Sequence, residues 1–99
     1  MIYEPREDSF LLQEQVKKLA KGKVLDIGTG SGIQAVTASK NKAVTEVLAI
    51  DIQEEVIDHC LRTIDNKKIT FQESDLFSTV KGKFDTILFN PPYLPDDAK

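Results

Sequence analysis

Two stretches of this chain hold residue types that could do chemistry. The first is Asp26-Ile27-Gly28-Thr29-Gly30-Ser31-Gly32, an acid followed by three alternate glycines. A turn with Gly at every second position bends sharply and lets a ligand approach closer than a Cβ would allow. It leads into a helical pattern, where unpaired N–H groups and the positive dipole end attract polar or anionic groups. The second is Asn90-Pro91-Pro92-Tyr93. Its two prolines remove two N–H donors and fix two φ angles, which stiffens the loop and leaves the Asn90 and Pro91 carbonyls as acceptors held in place. A planar –NH2 group, in a glutamine amide or an adenine amine, can donate one proton to the Asn90 side-chain oxygen and the other to the Pro91 carbonyl. Those bonds draw the nitrogen lone pair out of conjugation and aim it at an electrophile, which is orientation plus electrostatics without a strong base. Tyr93 can stack on the flat group. Taken alone, the same residues would also serve to end a strand with an aromatic packed on it.

Spacing narrows the ligand of the glycine turn. A dinucleotide fingerprint needs Gly or Ala at position 33, where this chain has Ile33. No Gly-Lys-Ser/Thr follows, which excludes a P-loop. Asp51 falls 19 positions after Gly32, at the end of the next apolar run, with Ile52 beside it. A carboxylate there can accept both hydroxyls of a ribose, as suits an adenosine ligand, and it can also cap the helix that follows. Asp75 ends a further strand pattern, where it can accept from an adenine amino group while the Leu76 N–H donates to a ring nitrogen. Capping the segment after it is the plainer use of Asp75.

These residues need elements to carry them. The periodicity predicts a helix capped by Asp8 or Ser9 and stopped by Gly22, a strand Lys23 to Ile27, a helix Ile33 to Lys40 and a strand Thr45 to Ile50. A helix Glu54 to Ile64, a turn at Asn66 and Lys67, a strand Lys68 to Gln72 and a fourth strand Phe84 to Phe89 follow. Strands alternating with helices imply right-handed crossovers and a parallel sheet, and strands that read as nearly continuous apolar runs imply helices on both faces. In such α/β sheets ligands bind beyond the carboxyl ends of the strands, and Asp26 to Gly32, Asp51, Asp75 and Asn90 all lie at such ends. Ninety-nine residues, 40% of them hydrophobic and 29% charged, make one domain, residues 1–99, with a single core. A net charge of −3 argues against a strongly basic nucleic-acid surface. The clusters Lys17, Lys18, Lys21, Lys23 and Lys67, Lys68 read as a solvated rim around helix ends. A single cysteine, Cys60, forms no internal disulfide and fits a reducing cytoplasm; with His59 it reads as an ordinary helix residue, and no metal site is expected. Neither a signal peptide nor a membrane-spanning run is visible.

With these motifs in place, the chain resembles the Asn-Pro-Pro-Tyr class of S-adenosylmethionine-dependent methyltransferases. Within it the chain is most similar to the HemK-type protein-glutamine methyltransferases, in their archaeal and eukaryotic branch. The resemblance rests on Tyr3 to Leu12, Asp26 to Gly32 and Asn90 to Leu94, and covers essentially the whole sequence. It implies S-adenosyl-L-methionine as cofactor, its methionine part held by Asp26, Gly28, Thr29, Gly30, Ser31 and Gly32, its ribose by Asp51 and its adenine by Asp75 and Leu76, with Ile52 and Asn90 also against it. Asn90, Pro91, Pro92 and Tyr93 would hold the target amide, and Glu4 to Ser9 would close over the cofactor. A release-factor glutamine would be the substrate, methylated by in-line displacement. A small zinc-binding activator protein would pair with the edge of the third strand.

The family sheet has seven strands, ordered 3-2-1-4-5-7-6, and this sequence ends after the fourth. The expectation is therefore a partial domain, either a piece of a longer protein or a chain completed by self-association through an uncovered fourth strand. Two other functions stay open at this point: methylation of an adenine amine in DNA or RNA, and a cofactor-binding or interaction module without turnover. An oxidoreductase is disfavoured by Ile33 and by the Asn-Pro-Pro-Tyr loop.

Overall fold

The computed structural model describes residues 7–75 and 82–89. Helix α1 (Glu7–Leu19) is followed by strand β1 (Gly22–Ile27), helix α2 (Ile33–Ser39), strand β2 (Val44–Asp51), helix α3 (Glu54–Thr63) and strands β3 (Ile69–Glu73) and β4 (Thr86–Phe89). All four strands run parallel in the order β3-β2-β1-β4. That is the order the resemblance implies for the first four strands.

The inner face of the sheet explains why these segments pack. Val24, Val47, Ala49, Ile69 and Leu88 project into one buried cluster with Val16 of α1, Ala20 just after it, and Ala35 and Ala38 of α2. The small side chains of α2 let it lie close on β1 and β2, and Leu12, Val36, Ile64 and Phe71 seal the rim. Moving from β1 to β2 to β3 the chain steps in one direction across the sheet, so right-handed crossovers put α2 and α3 on the same side. The α/β class and the parallel sheet stand as expected; of the two helical layers, the described residues contain this one. On the opposite face Leu25 and Ile50 are buried, whereas Ile87 and Phe89 of β4 are about 60% exposed.

Several boundaries differ from the sequence pattern for identifiable reasons. Helix α1 already includes Asp8 and Ser9, so neither caps it, and Gly22 opens β1 instead of stopping the helix. Gly22 has φ +65°, and a Cβ there would overlap the Asp85 carboxylate. Asp85 accepts the Lys23 N–H (2.9 Å) and Thr86 Oγ1 accepts the Lys21 N–H (3.0 Å), so the residues before β4 clasp the entry to β1. The fourth strand accordingly starts at Thr86, while Phe84 lies beneath the Lys23 ammonium, 5.0 Å from ring centroid to Nζ. The turn at Asn66 is as expected: Asn66 Oδ1 accepts the Lys68 N–H (2.9 Å) and its amide donates to Ser39 Oγ (2.9 Å). This delays β3 to Ile69.

Basic residues are distributed in one sense along the strands, although Glu46, Asp65 and Asp85 share their end. Every lysine and arginine among the described residues lies at the amino ends of the strands, on the last turn of a helix or in the loop that follows it. Asp26, Asp51, Glu54, Glu55, Glu73 and Asp75 lie toward the carboxyl ends. Among the described residues no helix is long and apolar enough to cross a membrane.

One basic residue is structural. Lys68 Nζ donates to Ser39 O (3.1 Å) and Val44 O (2.9 Å), closing the carboxyl end of α2 onto the start of β2. Hydrogen bonds from a charged donor to helix-end carbonyls stabilise through both the bond and the dipole. Lys68→Met, which keeps the stem, should therefore cost about 1–2 kcal/mol in chemical denaturation, whereas Lys67→Met, on the exposed neighbour, should cost next to nothing.

Candidate functional site

The glycine turn is fastened to β2 by its backbone. Gly28 and Thr29 both donate their N–H to Ile50 O (2.9 Å each), and Gly32 N donates to Thr29 O (2.8 Å). Gly28, Gly30 and Gly32 all take positive φ. Asp26 is fully buried at the end of β1, between Ala49 and Leu88 in register, and accepts from Thr29 Oγ1 at 2.8 Å.

Asp51 links three elements. Its Oδ2 accepts the Gly30 N–H (3.2 Å), its Oδ1 accepts the Gln53 N–H at the start of α3 (3.0 Å), and its carbonyl accepts the Ser74 N–H after β3 (2.9 Å). The two roles weighed for Asp51 are thus compatible: a carboxylate has about four acceptor positions, and these bonds use two. Ile52 beside it is 68% exposed at this open end. Ser31 Oγ is buried and makes no hydrogen bond. An unsatisfied buried hydroxyl at a ligand-sized turn is what a polar ligand group would complete. A ligand carrying an adenosine and an amino-acid end fits this donor set: carboxylate, hydroxyl, open backbone and an exposed apolar side chain.

Asp75 is exposed just beyond β3. Leu76 and Asn90, Pro91, Pro92 and Tyr93 lie outside the described residues, as does the stretch up to Arg6. The register nevertheless bears on them: Phe89, the last residue of β4, pairs with Ile27, the last of β1. The chain therefore leaves β4 beside the point where β1 enters the glycine turn. Among the described residues no group of three or more His, Cys, Asp or Glu could hold a metal ion.

Cys60 has a more specific place than its helical spacing suggested. Its thiol donates to Gly30 O (3.3 Å), so the Gly30 peptide is held from β2 on its N–H side and from α3 on its carbonyl side. The sequence reads Cys60 as an ordinary helix residue; only the crossing of α3 over the turn reveals its partner. Burial, and then the negative charges of Asp51 and Asp26, push the thiol up to about 11. It stays protonated and remains a donor at neutral pH.

The chain belongs to the methyltransferase small domain family. Residues 7–99 match that family. A protein of Methanocaldococcus jannaschii, provisionally named a protein N5-glutamine methyltransferase, is 42% identical over 96 residues, 95% of this chain and 48% of that one. A release factor glutamine methyltransferase of Streptococcus pneumoniae is 41% identical over 72% of this chain and 26% of its own length. A ribosomal RNA small subunit methyltransferase C of Haemophilus influenzae is 32% identical over 84% of this chain and 26% of its own length. The chain thus spans about half or less of the curated relatives it matches. Among solved structures, the ribosomal protein L11 methylase of Lactobacillus delbrueckii superposes with a TM-score of 0.71 at 31% identity, over 91% of this chain and 49% of that one. The plantazolicin methyltransferase BpumL in complex with S-adenosylhomocysteine gives 0.58 at 30% identity, over 79% and 30%. A complex of the Haloferax volcanii Trm112 methyltransferase activator with a methyltransferase gives 0.67 at 17% identity, over 79% and 37%, and shares the fold. The architecture is that of class I S-adenosylmethionine-dependent methyltransferases.

Two consequences can be measured. A Cβ on Gly32, whose φ is +86°, would lie 2.6 Å from Ile64 Cδ1 and 3.5 Å from Cys60 Sγ. This glycine is demanded by α3 as much as by any ligand. Gly32→Ala should destabilise by about 2–4 kcal/mol from backbone strain plus overpacking. Ile64→Val removes the colliding Cδ1, so in a double-mutant cycle the pair should be less harmful than the sum. Strict additivity would show that strain alone is responsible. For Cys60 the sign follows from proton binding: the unfolded thiol ionises near pH 9.0 and the folded one near 11, so the folded state holds more protons between them. The stability of the native protein relative to Cys60→Ala should fall as pH rises from about 9 to about 11, and stay level below.

Proposed function

We propose that this chain is the cofactor-binding part of an S-adenosylmethionine-dependent N-methyltransferase whose acceptor is a planar amide nitrogen, a glutamine of a translation release factor. One observation carries the reading: the glycine turn, Asp51 and the exit of β4 toward Asn90 converge at one end of the sheet, because Phe89 pairs with Ile27. The named function of the M. jannaschii and S. pneumoniae relatives supports the choice of acceptor.

In this reading Asp26, Thr29 and the Gly28 to Gly32 backbone face the methionine part, and Ser31 Oγ gains its missing partner there. Asp51 uses its two remaining acceptor positions for the ribose hydroxyls. Ile52 would pack against the adenine, and Asp75 and Leu76 would meet its polar edge. S-adenosyl-L-methionine supplies, when bound, a methyl group on a positively charged sulfur. Asn90 Oδ1 and the Pro91 carbonyl each accept one proton of the substrate –NH2, Pro92 stiffens the loop, and Tyr93 stacks on the amide plane. So oriented, the acceptor nitrogen would take the methyl group as the carbon–sulfur bond breaks, and its proton would pass to solvent. The outer edge of β3, unpaired among the described residues, is where a small activator protein would add a strand. A release-factor substrate would place the reaction in the cytoplasm.

Methylation of an adenine amine is the second reading, favoured by the similarity to a ribosomal RNA methyltransferase. Calorimetric titration with S-adenosylhomocysteine, paired with transfer assays on a release factor and on an oligonucleotide, separates the possibilities. Asn90→Ala should lower transfer to the release factor at least about 100-fold with cofactor affinity nearly unchanged, whereas Asp51→Asn should weaken cofactor binding itself. Transfer to the oligonucleotide alone would favour the adenine reading, and binding without transfer to either would leave a module without turnover.

A further inference from the structure

The joint between β1 and β4 is closed by side chains at the end remote from the glycine turn. Thr86 Oγ1 accepts the Lys21 N–H (3.0 Å) and donates to Lys21 O (2.9 Å), so one hydroxyl satisfies both backbone groups of that residue. Lys23 is held in the same way by Asp85, whose carboxylate accepts the Lys23 N–H (2.9 Å) and whose own N–H donates to Lys23 O (2.8 Å). Gly22, between them, turns its N–H the other way, to Ala43 O beside β2 (2.7 Å). Its missing Cβ leaves the space that the Asp85 carboxylate occupies.

These bonds supply what the strand itself lacks, a fixed register. Ladder hydrogen bonds repeat along a strand, so by themselves they fit equally well after a slip of two residues. A slip of one is opposed by burial, because it would turn Leu88 outward. Against a slip of two β4 has little else. It is four residues long, pairs among the described residues with β1 alone, and carries one buried side chain, Leu88, whereas Ile87 and Phe89 are about 60% exposed. The Asp85 bond exists in a single register, because Gly22 is the residue that admits the carboxylate. A slip of two would carry Phe89 about 7 Å along β1, away from Ile27, its partner at the start of the glycine turn.

We infer that Asp85 and Thr86 are positioning residues for methyl transfer: from the amino end of β4 they hold its register against β1, and so set where the chain enters Asn90 relative to the glycine turn. The inference rests on the N-methyltransferase reading given above, for either acceptor. Four residues separate Thr86 from Asn90, about 13 Å of extended chain, so the clasp acts through the strand and not by touching a ligand. The glycine turn is held by other bonds, from Asp51 of β2 and Cys60 of α3. The two halves of the site are thus set independently. Loss of the clasp should spare cofactor binding and disturb the acceptor loop, where a misplacement of about 1 Å can cost about 100-fold in rate.

The test compares the full-length protein carrying this domain with two paired variants. Asp85→Ala with Thr86→Val removes the carboxylate and the hydroxyl while keeping a β-branched side chain in the strand; Asp85→Asn with Thr86→Ser keeps an acceptor and a hydroxyl. Well below the melting temperature, the first pair should lower kcat for transfer at least about tenfold with S-adenosylhomocysteine affinity unchanged, and the second pair should recover most of that loss. Bonds that served stability alone would lower the melting temperature and leave kcat in the cold untouched. By NMR, the cross-strand contact of Ile27 with Phe89 should persist in the native protein and the second pair and weaken in the first. Three results would overturn the inference alone: kcat held in a folded first pair, an Ile27–Phe89 contact unchanged in it, or cofactor affinity falling in step with kcat. A native protein that transfers to neither the release factor nor the oligonucleotide would overturn the methyltransferase reading, and the positioning role with it.

Discussion

The carboxylate of Asp51 is the constraint on which the ligand end of this domain depends. It stands at the end of β2 and accepts from Gly30 on one side and from Gln53 on the other. The same residue thus fixes the height of the glycine turn and the start of α3. Helix α3 then returns the constraint, because Cys60 reaches back to the Gly30 carbonyl and Ile64 fills the space against Gly32. The turn is held by its backbone from two elements, which leaves its open side for a ligand. A site assembled this way costs little reorganisation on binding, since the donors and acceptors are already spaced by the sheet.

Much of this was legible in the sequence, for a physical reason. Parallel strands covered by helices read as short apolar runs, and Asp26, Asp51 and the glycines stand out because a polar residue at the end of such a run has few other uses. Element ends were less legible. Phe84 and Asp85 read as strand because nothing local shows that Asp85 and Thr86 turn back to clasp Lys21 and Lys23. Asp8 and Ser9 have good capping chemistry, but α1 begins at Glu7, before both. Gly32 looked like a ligand-facing glycine; its contact with Ile64 belongs to packing across 32 residues of sequence, which no local pattern encodes. The pairing of Cys60 with Gly30 is invisible for the same reason.

The segregation of charge also follows from the fold. In βαβ units every helix runs antiparallel to the strands, so all helix amino ends face the ligand end and all carboxyl ends face away. Acids that favour first turns, such as Glu54 and Glu55, and bases that favour last turns, such as Lys17, Lys18 and Arg62, therefore accumulate at opposite ends instead of cancelling. An acidic end suits a ligand with a positively charged sulfur. The loop lysines extend the basic end beyond what the dipoles favour.

Topology finally decides where the ligand can sit. From β1 the chain steps through β2 to β3 in one direction, and β4 then joins on the far side of β1. Ligands of open α/β sheets bind at such a reversal of strand order, which here falls between β1 and β4. Asp26, buried and paired in register with Leu88, lies at this point. Because β1 lies between β2 and β4, a displacement of either neighbour moves the start of the glycine turn with it. Asp51 on one side and the Asp85–Thr86 clasp on the other hold β1 at both ends, which is why the polar bonds of this small domain concentrate there.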